Sequence, residues 1–153
     1  ILDADIEAIV AEEARQRVQH FTLDHVQVIC GDHVIPTATV RLSTEGGGEI
    51  QESAMGTGPV DAIYRAINKI VNIPNRLEEY SVNSVTEGLD AQADVRIRIE
   101  ADDQIFVGRA TNTDIVVASA QALVDGLNRC MQYRARDTRS TWRDALVDVA
   151  QKV

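Results

Sequence analysis

The stretch GTGPVDA, residues 56–62, has the residue types of a loop that could hold a small ligand. Two glycines let a ligand approach the backbone closely, and a proline suits the first position of a helix. The loop lacks the Lys-Ser/Thr pair of a nucleotide P-loop, and Asp61 stands where a dinucleotide fingerprint needs its third glycine. These departures argue against a nucleotide. A small anion bound at the helix start and a purely structural turn both stay open.

The histidines and cysteines do not form a recognisable metal or redox motif. The three histidines are too far apart in the chain for an HxH or HExxH site: His20, His25 and His33. Cys30 ends an apolar alternation and Cys130 lies on the apolar face of a predicted helix, so both are interpreted as small buried hydrophobic residues. We therefore expect no metal ion, no cofactor and no disulfide in this chain.

The carboxylates are numerous, but no acid and base are visibly placed to act together. Asp102 and Asp103 fall in a predicted turn, and Asp114 has the position of an N-cap before the last helix. The residues alone favour a binding or assembly domain over an enzyme. The enzymatic alternative is a small lyase that uses Asp90 or Asp114 as its base.

The composition is that of an acidic globular chain. Its 153 residues have a formal net charge of −9, which disfavours nucleic acid and anionic membranes as partners. No apolar run approaches the roughly 18 residues of a membrane helix and no signal peptide is evident, so we expect a cytoplasmic protein. The start at Ile1, without an initiator methionine, suggests a fragment or a processed chain. One basic stretch is interpreted as a solvated helix face, with phosphate contact as the alternative: Arg129, Arg134, Arg136, Arg139 and Arg143.

Hydrophobic periodicity divides the chain into two similar halves. Apolar residues recur at helical spacing over residues 3–18, then alternate in three strands before a helix from about Pro59 to Val71. Three more strands precede a helix from Ile115 to about Tyr133. The six predicted strands contain HVQVIC, TATVRL, IQESAM, EYSVNSV, ADVRIRI and IFVGRA. This order predicts an α+β fold built from a tandem βββα repeat.

A single offset of 55 residues relates the two halves, because it takes Leu42 to Ile97 and Val60 to Ile115. Each repeat has one apolar sheet face and one apolar helix stripe, which two repeats bury best together about a pseudo-twofold axis, with the two helices in the centre. The two helices then begin at equivalent places. Their unpaired N–H groups predict a seat for a small anion or carboxylate between them.

Three blocks of sequence resemble one known family. GTGPVDAIYRAINKIV, LEEYSVNSVTEGLDAQADVRI and TDIVVASAQALVDGLNR have the order and spacing of the C-terminal regulatory domain of 2-isopropylmalate synthases, which citramalate synthases share. The resemblance covers residues 24–133, and DADIEAIVAEE is similar to the segment that links the catalytic part to this domain. It implies a linker helix over residues 1–20 and a regulatory domain over 21–133, with repeats of about 21–73 and 77–133. The apolar spacing of Trp142, Ala145, Leu146, Val149 and Val153 separately predicts a helical tail over residues 134–153. The tail departs from the family, which usually ends soon after the last repeat helix.

The resemblance also implies a function. Enzymes of this family transfer an acetyl group from acetyl-CoA to 2-oxoisovalerate in leucine biosynthesis, in a catalytic barrel that needs a divalent metal and is missing from this chain. The regulatory domain forms homodimers, works with the catalytic domain of the same chain, and binds leucine as a feedback inhibitor. This chain would then have no catalytic residues of its own. Isoleucine as the effector, as in citramalate synthases, and a dimerisation module without a ligand are the alternatives.

The ligand positions of the family carry over residue by residue. The charged end of the amino acid would contact Gly56, Thr57 and Gly58, beside a helix start formed by Pro59, Val60 and Asp61. Its side chain would lie in a pocket lined by Leu77, Tyr80 and Ser84. Ala91 and Ala93 would form the floor of this pocket, and Ile115 its wall on the other helix. Structural roles stay open beside these, because Val60, Leu77 and Ile115 suit the core of any such fold and Tyr80 suits a sheet.

Overall fold

The computed structural model describes residues 20–84 and 91–151, with side chains described as far as residue 136. Six strands and two helices occur in these residues, in the order β1 (Phe21–Gly31), β2 (Val34–Thr44), β3 (Glu49–Met55), α1 (Pro59–Val71), β4 (Arg76–Ser84), β5 (Ala93–Ala101), β6 (Gln104–Asn112) and α2 (Ile115–Gln151). The helix predicted over residues 3–18 lies outside the described residues, as does Asp90.

The two halves of the chain form two antiparallel sheets of three strands, in the orders β1-β2-β3 and β4-β5-β6. Each sheet is followed by one helix, so the predicted α+β fold with a tandem βββα repeat is confirmed. Helix α1 packs on the three strands of its own sheet, whereas α2 packs on β5, β6, α1 and also β1. The second helix therefore joins the two repeats into one packed unit.

Aliphatic side chains from both sheets and both helices share one core. The alternating residues of the two central strands are fully buried: Ala38, Val40 and Leu42 on β2, and Val95, Ile97 and Ile99 on β5. Ile67 of α1 and Leu123 of α2 are fully buried in the same cluster. Burial of one such branched side chain contributes about 1.5–3 kcal/mol. The fold is therefore stabilised without many aromatic residues, which make up 4% of the chain.

The strand registers correct the expected offset of 55 residues between the repeats. Both first strands have a β-bulge at the same place, between Leu23 and His25 and between Leu77 and Glu79, which sets their offset at 54. The residues that pair across each sheet give 57 for the central strands and 56 for the third strands. The offset changes because the connections between equivalent strands differ in length.

The helix starts also follow the offset of 56. The first helical bond runs from Ala62 N–H to the carbonyl of Gly58 in α1 and from Ala118 N–H to the carbonyl of Asp114 in α2. Adding 56 to Val60 gives Val116, so the prediction that Ile115 is its repeat equivalent is wrong by one residue.

Side chains of the two helices bind the open backbone edges of the third strands. Lys69 donates to the carbonyl oxygen of Ser53 at 2.7 Å, and the carboxylate of Asp125 accepts from the N–H of Arg109 at 3.1 Å. Adding 56 takes Lys69 to Asp125 and Ser53 to Arg109. Equivalent positions thus use opposite charges to bind opposite backbone groups, and each bond covers part of a strand edge.

Helix α2 is longer than the sequence indicated. It was predicted to end near Tyr133, but it continues to Gln151, so the tail is helical and continuous with α2. Within this helix, the buried Asn128 amide accepts from Phe21 N–H and donates to Phe21 C=O, both at 2.9 Å. Although α2 is 37 residues long, neither it nor α1 has a stretch within the described residues that is apolar enough to cross a membrane. The division into linker, regulatory domain and tail stays a prediction.

The two cysteines have different environments. Cys130 is buried as predicted, and its burial raises the pKa of the thiol. The prediction for Cys30 is wrong, because this residue is exposed. The last core-facing pair of β1 is Val28 with Ala38. Cys30 comes after this pair, at a register shift near the end of the strand.

Gly108 on β6 allows α2 to lie close to the second sheet. A Cβ at this position would lie 2.0 Å from the carbonyl oxygen of Ala122 and 2.6 Å from the backbone nitrogen of Gly126. Because backbone atoms cannot rotate away, we expect Gly108→Ala to lower the free energy of unfolding by about 1–3 kcal/mol, measured by urea denaturation. Gly46→Ala is the control, since a Cβ there has no described heavy atom within 4 Å. Equal midpoints for the two variants would contradict this close contact.

Candidate functional site

The turn before α1 uses its two glycines in different ways. Gly56 donates its N–H to the carbonyl of Pro36 at 2.9 Å, and a Cβ at Gly56 would lie 2.5 Å from the nitrogen of Ala62. This glycine is therefore required for the turn to pack against its own helix. Gly58 is the N-cap with extended backbone (φ −161°), and a Cβ there would have no described heavy atom within 4 Å. The structure thus leaves open space beside the helix start at Gly58.

The first turn of α1 contains a carboxylate that already binds one backbone donor. Asp61 Oδ2 accepts from Thr57 N–H at 2.9 Å and from Arg65 Nε at 3.0 Å. The bond from the Thr57 backbone and then the bond and charge of Arg65 hold the pKa of Asp61 below its usual value, against the effect of desolvation. Thr57 N–H, predicted to approach a ligand, is therefore engaged by Asp61 in this structure.

The start of α1 nevertheless keeps donors at its N-terminus. Gly58 has no side chain that can cap the helix, and no hydrogen bond from a capping side chain is present there among the described residues. Pro59 at the next position has no N–H to satisfy. The N–H groups of Val60 and Asp61, in the first turn, are the ones that an N-cap side chain normally serves. They are the natural donors for a small anion at the open space beside Gly58.

The start of α2 is closed by its own side chains. Asp114 accepts a hydrogen bond from Val116 N–H at 2.9 Å, which confirms it as an N-cap, and Asn112 accepts one from Asp114 N–H at 2.9 Å. A carboxylate that caps a helix repels a second anion at the same end. The first turn of α1 also holds a carboxylate, but Asp61 accepts from Thr57 N–H and Arg65 Nε. The two helix starts differ because Asp114 caps α2, whereas Gly58 leaves the N-cap of α1 without a side chain. A seat for an anion at α1 stays a prediction.

The hydroxyl of Tyr80 lies at the start of α2. It is 2.8 Å from Ser119 Oγ, and Ser119 donates to the carbonyl of Ile115 at 2.7 Å. Because Ser119 has a single hydrogen to donate, Tyr80 donates to Ser119 and keeps its own lone pairs as acceptors. Tyr80 and Ile115, which were predicted to line one pocket, are thus brought to the same helix turn. Ile115 is 46% exposed there.

Ser119 is the residue of this site that the sequence analysis missed. Its side chain is buried in an apolar cluster, with 1% of its surface exposed. A hydroxyl at a core position of an amphipathic helix needs partners, and this one binds Tyr80 and the helix backbone. In the sequence, a single serine on the apolar face of the predicted helix was the signal that could have identified Ser119.

The other predicted residues are placed more loosely. Leu77 is partly buried and packs against the core from β4. Ser84 pairs with Ala93 at the ends of β4 and β5. Ala91 is exposed just before β5, Ala93 and Val60 are partly buried, and Pro59 is exposed. A shared pocket for all of these residues stays a prediction, because residues 85–90 between Ser84 and Ala91 lie outside the described part.

A separate cleft of about 380 Å³ lies between the edge strands β1 and β6, over α2. Its apolar lining includes Leu23, Ala110 and Val124, and its polar lining includes Gln121. Among the described residues, none of the predicted ligand positions lines it. The cleft occupies the gap between the two sheets and has no caps or glycines of the kind found at α1, so the candidate site remains the start of α1.

Metal binding has no support in the described part of the chain. Residues 20–84 and 91–136 contain no group of three or more histidine, cysteine, aspartate or glutamate side chains placed to hold a metal ion. Two basic residues of α2 are engaged with carboxylates: Arg129 with Asp125 at 3.5 Å, and Arg134 with Asp102. That the chain holds no cofactor stays a prediction.

The carboxylate of Asp61 generates a pH-dependent prediction. Its folded pKa lies below the ordinary value of 3.8, so ionised Asp61 stabilises the fold above that value and loses this contribution as the pH falls through the folded pKa. We expect Asp61→Asn to be less stable than the parent chain at pH 7 and to approach it below about pH 4, by urea denaturation across pH. The control is Glu52→Gln, an exposed carboxylate on β3. A stability difference for Asp61→Asn that does not depend on pH would contradict this role.

Comparison with known proteins shows the family of this chain. A family model described as the LeuA allosteric (dimerisation) domain matches residues 1–131. A protein named 2-isopropylmalate synthase from Picosynechococcus sp. is 56% identical over 129 residues, which are 84% of this chain and 24% of that protein. A second from Thermosynechococcus vestitus is 54% identical over 141 residues, 92% of this chain and 26% of that protein. This chain spans about a quarter of the length of these relatives. It belongs to the family of LeuA allosteric (dimerisation) domains.

Proposed function

We propose that this chain is the leucine-sensing regulatory domain of a 2-isopropylmalate synthase and that it works as a homodimer. Leucine, the end product, would bind at the start of α1 and inhibit a distant active site. The names and lengths of the relatives support this proposal, because this chain corresponds to about a quarter of each. The description of the matching family as an allosteric and dimerisation domain supports it as well.

The observation that carries the proposal is the uncapped start of α1. The carboxylate of a free amino acid needs hydrogen-bond donors and positive potential, and both are available at a helix N-terminus. Gly58 leaves space for that carboxylate, and the first-turn N–H groups of Val60 and Asp61 supply donors. Each chain would then bind one effector at α1, because Asp114 closes the start of α2.

The side chain of the effector needs an apolar surface near this seat. Val60 and Ile115 are aliphatic residues in the first turns of the two helices, and Tyr80 adds an aromatic face with a hydroxyl held by Ser119. Ile115 is exposed by 46%, so its side chain is accessible to an aliphatic ligand. Branched amino acids suit this surface better than polar ones.

The remaining features of the proposal concern the whole enzyme. The parent would transfer an acetyl group from acetyl-CoA to 2-oxoisovalerate in the cytoplasm, with a divalent metal in its catalytic domain. The catalytic domain of the same chain would be the partner that receives the regulatory signal. Feedback then requires leucine to bind one global state more tightly than another, typically by about 1–3 kcal/mol.

Isothermal titration calorimetry of the chain with leucine, isoleucine and valine tests the proposal. We expect leucine to bind most tightly, since one misplaced methyl in an apolar pocket costs about 1–3 kcal/mol. Tighter binding of isoleucine would instead assign the chain to a citramalate synthase. If none of the three amino acids gives heat of binding or a thermal shift, the proposal fails, and the chain is then a dimerisation module without a ligand.

The variant Gly58→Asp tests the location of the effector. Its added carboxylate would occupy the open space and repel the carboxylate of leucine, so we expect the affinity to fall more than about tenfold, or ~1.4 kcal/mol. In the parent enzyme the same change is expected to abolish leucine inhibition while basal activity persists.

The matched control for this variant is Gly46→Asp, which adds the same charge in the β2–β3 turn, where a Cβ also has no described heavy atom within 4 Å. The control should keep both leucine binding and inhibition. If Gly58→Asp bound leucine as tightly as Gly46→Asp does, the start of α1 would not be the effector site.

A further inference from the structure

The outer face of the first sheet carries a cluster of exposed apolar side chains. Ile29 and Met55 lie on either side of Thr37 in the strand register, and Ile35 precedes Thr37 by two residues on the same face. The side chains are 53%, 64% and 63% exposed for Ile29, Ile35 and Met55, respectively. Large apolar residues exposed together in this way mark an interaction surface more often than ones scattered singly.

The polar side chains next to this cluster satisfy one another without opposite charges. Thr39 Oγ1 and Ser53 Oγ are 2.7 Å apart, and Arg41 donates twice to the side-chain oxygen of Gln51, at 3.1 and 3.0 Å. Hydroxyl and amide groups that are already paired can be covered by a partner at lower cost than ionised ones. Arg41 is the charged residue among them, and arginine is enriched beside the apolar centre of protein interfaces.

The second sheet is an internal control, because it has the same fold with a different outer face. The offsets of 54, 57 and 56 residues place three polar residues at the positions of Ile29, Ile35 and Met55: Asn83, Gln92 and Thr111. At the position of Thr37 stands Asp94, which binds Arg109 through two bonds of 2.9 and 2.7 Å. The fold therefore does not require apolar residues at these places, and their presence in the first sheet needs another reason.

The family match, whose description names dimerisation, indicates a second copy of the chain as the occupant. Two copies each have a net charge of −9 and repel one another over most of their surfaces. The carboxylates of β3 lie away from the cluster, since Glu49 pairs with Ser43 at the opposite end of the strand and Glu52 lies in register with core-facing Val40. Asp32, in the turn between β1 and β2, is the exposed carboxylate beside the cluster, and it lies 3.3 Å from His33 Nε2. Repulsion between two acidic copies is therefore reduced at the cluster but not absent. A twofold axis through the cluster would place apolar residues against apolar residues.

We propose that the outer face of the first sheet, centred on Ile29, Ile35 and Met55, is the surface on which two copies of this chain dimerise about a twofold axis. The inference rests on the homodimer of the proposed function and adds the surface that forms it. The outer face of the second sheet stays in solvent, where the exposed ion pair of Glu79 with Arg98 is hydrated.

Sedimentation equilibrium on a matched pair of variants tests this surface. Ile29→Glu puts a carboxylate in the proposed interface, and Asn83→Glu puts the same carboxylate at the equivalent position of the second sheet. We expect the dimer dissociation constant to rise more than about tenfold in Ile29→Glu, because central apolar residues dominate interface energies. It should be unchanged in Asn83→Glu. Circular dichroism and urea unfolding check that both variants are folded.

The double variant Ile35→Glu/Met55→Glu provides a second test that does not depend on β1. It should dissociate the dimer at least as strongly as Ile29→Glu does. A dimer that survives in all three variants, or a parent chain that is monomeric at every concentration, would overturn the inference. Leucine calorimetry on the parent chain separates the two proposals, because a dimer that binds no leucine would contradict the effector site and leave the dimer surface intact.

Discussion

The fold depends on one constraint, which is that each three-stranded sheet has an apolar core-facing side that it cannot bury alone. The two central strands present Val40 and Ile97 to the same core, and the two helices add Ile67 and Leu123 to it. Because α2 packs on β1 of the first repeat as well as on its own sheet, the repeats cannot separate without exposing this core. The buried amide of Asn128 reinforces the junction.

The same pseudo-symmetry explains where function can arise, because equivalent positions have diverged. Gly58 and Asp114 occupy the same place before their helices, yet one leaves the helix start open and the other caps it with a carboxylate. Asn72 ends α1 in the left-handed conformation, whereas its equivalent Asn128 stays helical and binds β1. The duplicated fold provides two equivalent βββα repeats. Substitutions at the helix start of one repeat create a site there without disturbing the core that both repeats share.

Strands, helices and the repeat could be predicted from the sequence, because alternating and helical apolar periods are strong signals in both halves. The single offset and the repeat equivalent of Val60 were wrong, since sequence periodicity does not report loop lengths to one residue. The burial of Cys30 and the end of α2 were also wrong, because both depend on where tertiary packing stops. At the site, the engagement of Thr57 by Asp61 and the bond of Tyr80 to Ser119 depend on contacts that residue types alone do not specify.

The central claim is that a branched amino acid binds at the open start of α1 and not at the capped start of α2. Backbone amide chemical shifts of the isotope-labelled chain, followed by NMR during a leucine titration, test it most directly. The account predicts the largest saturable shifts at Gly58, Val60 and Asp61, with smaller ones at Val116. Shifts concentrated instead at Thr22 and Ala110, in the cleft between β1 and β6, would contradict it.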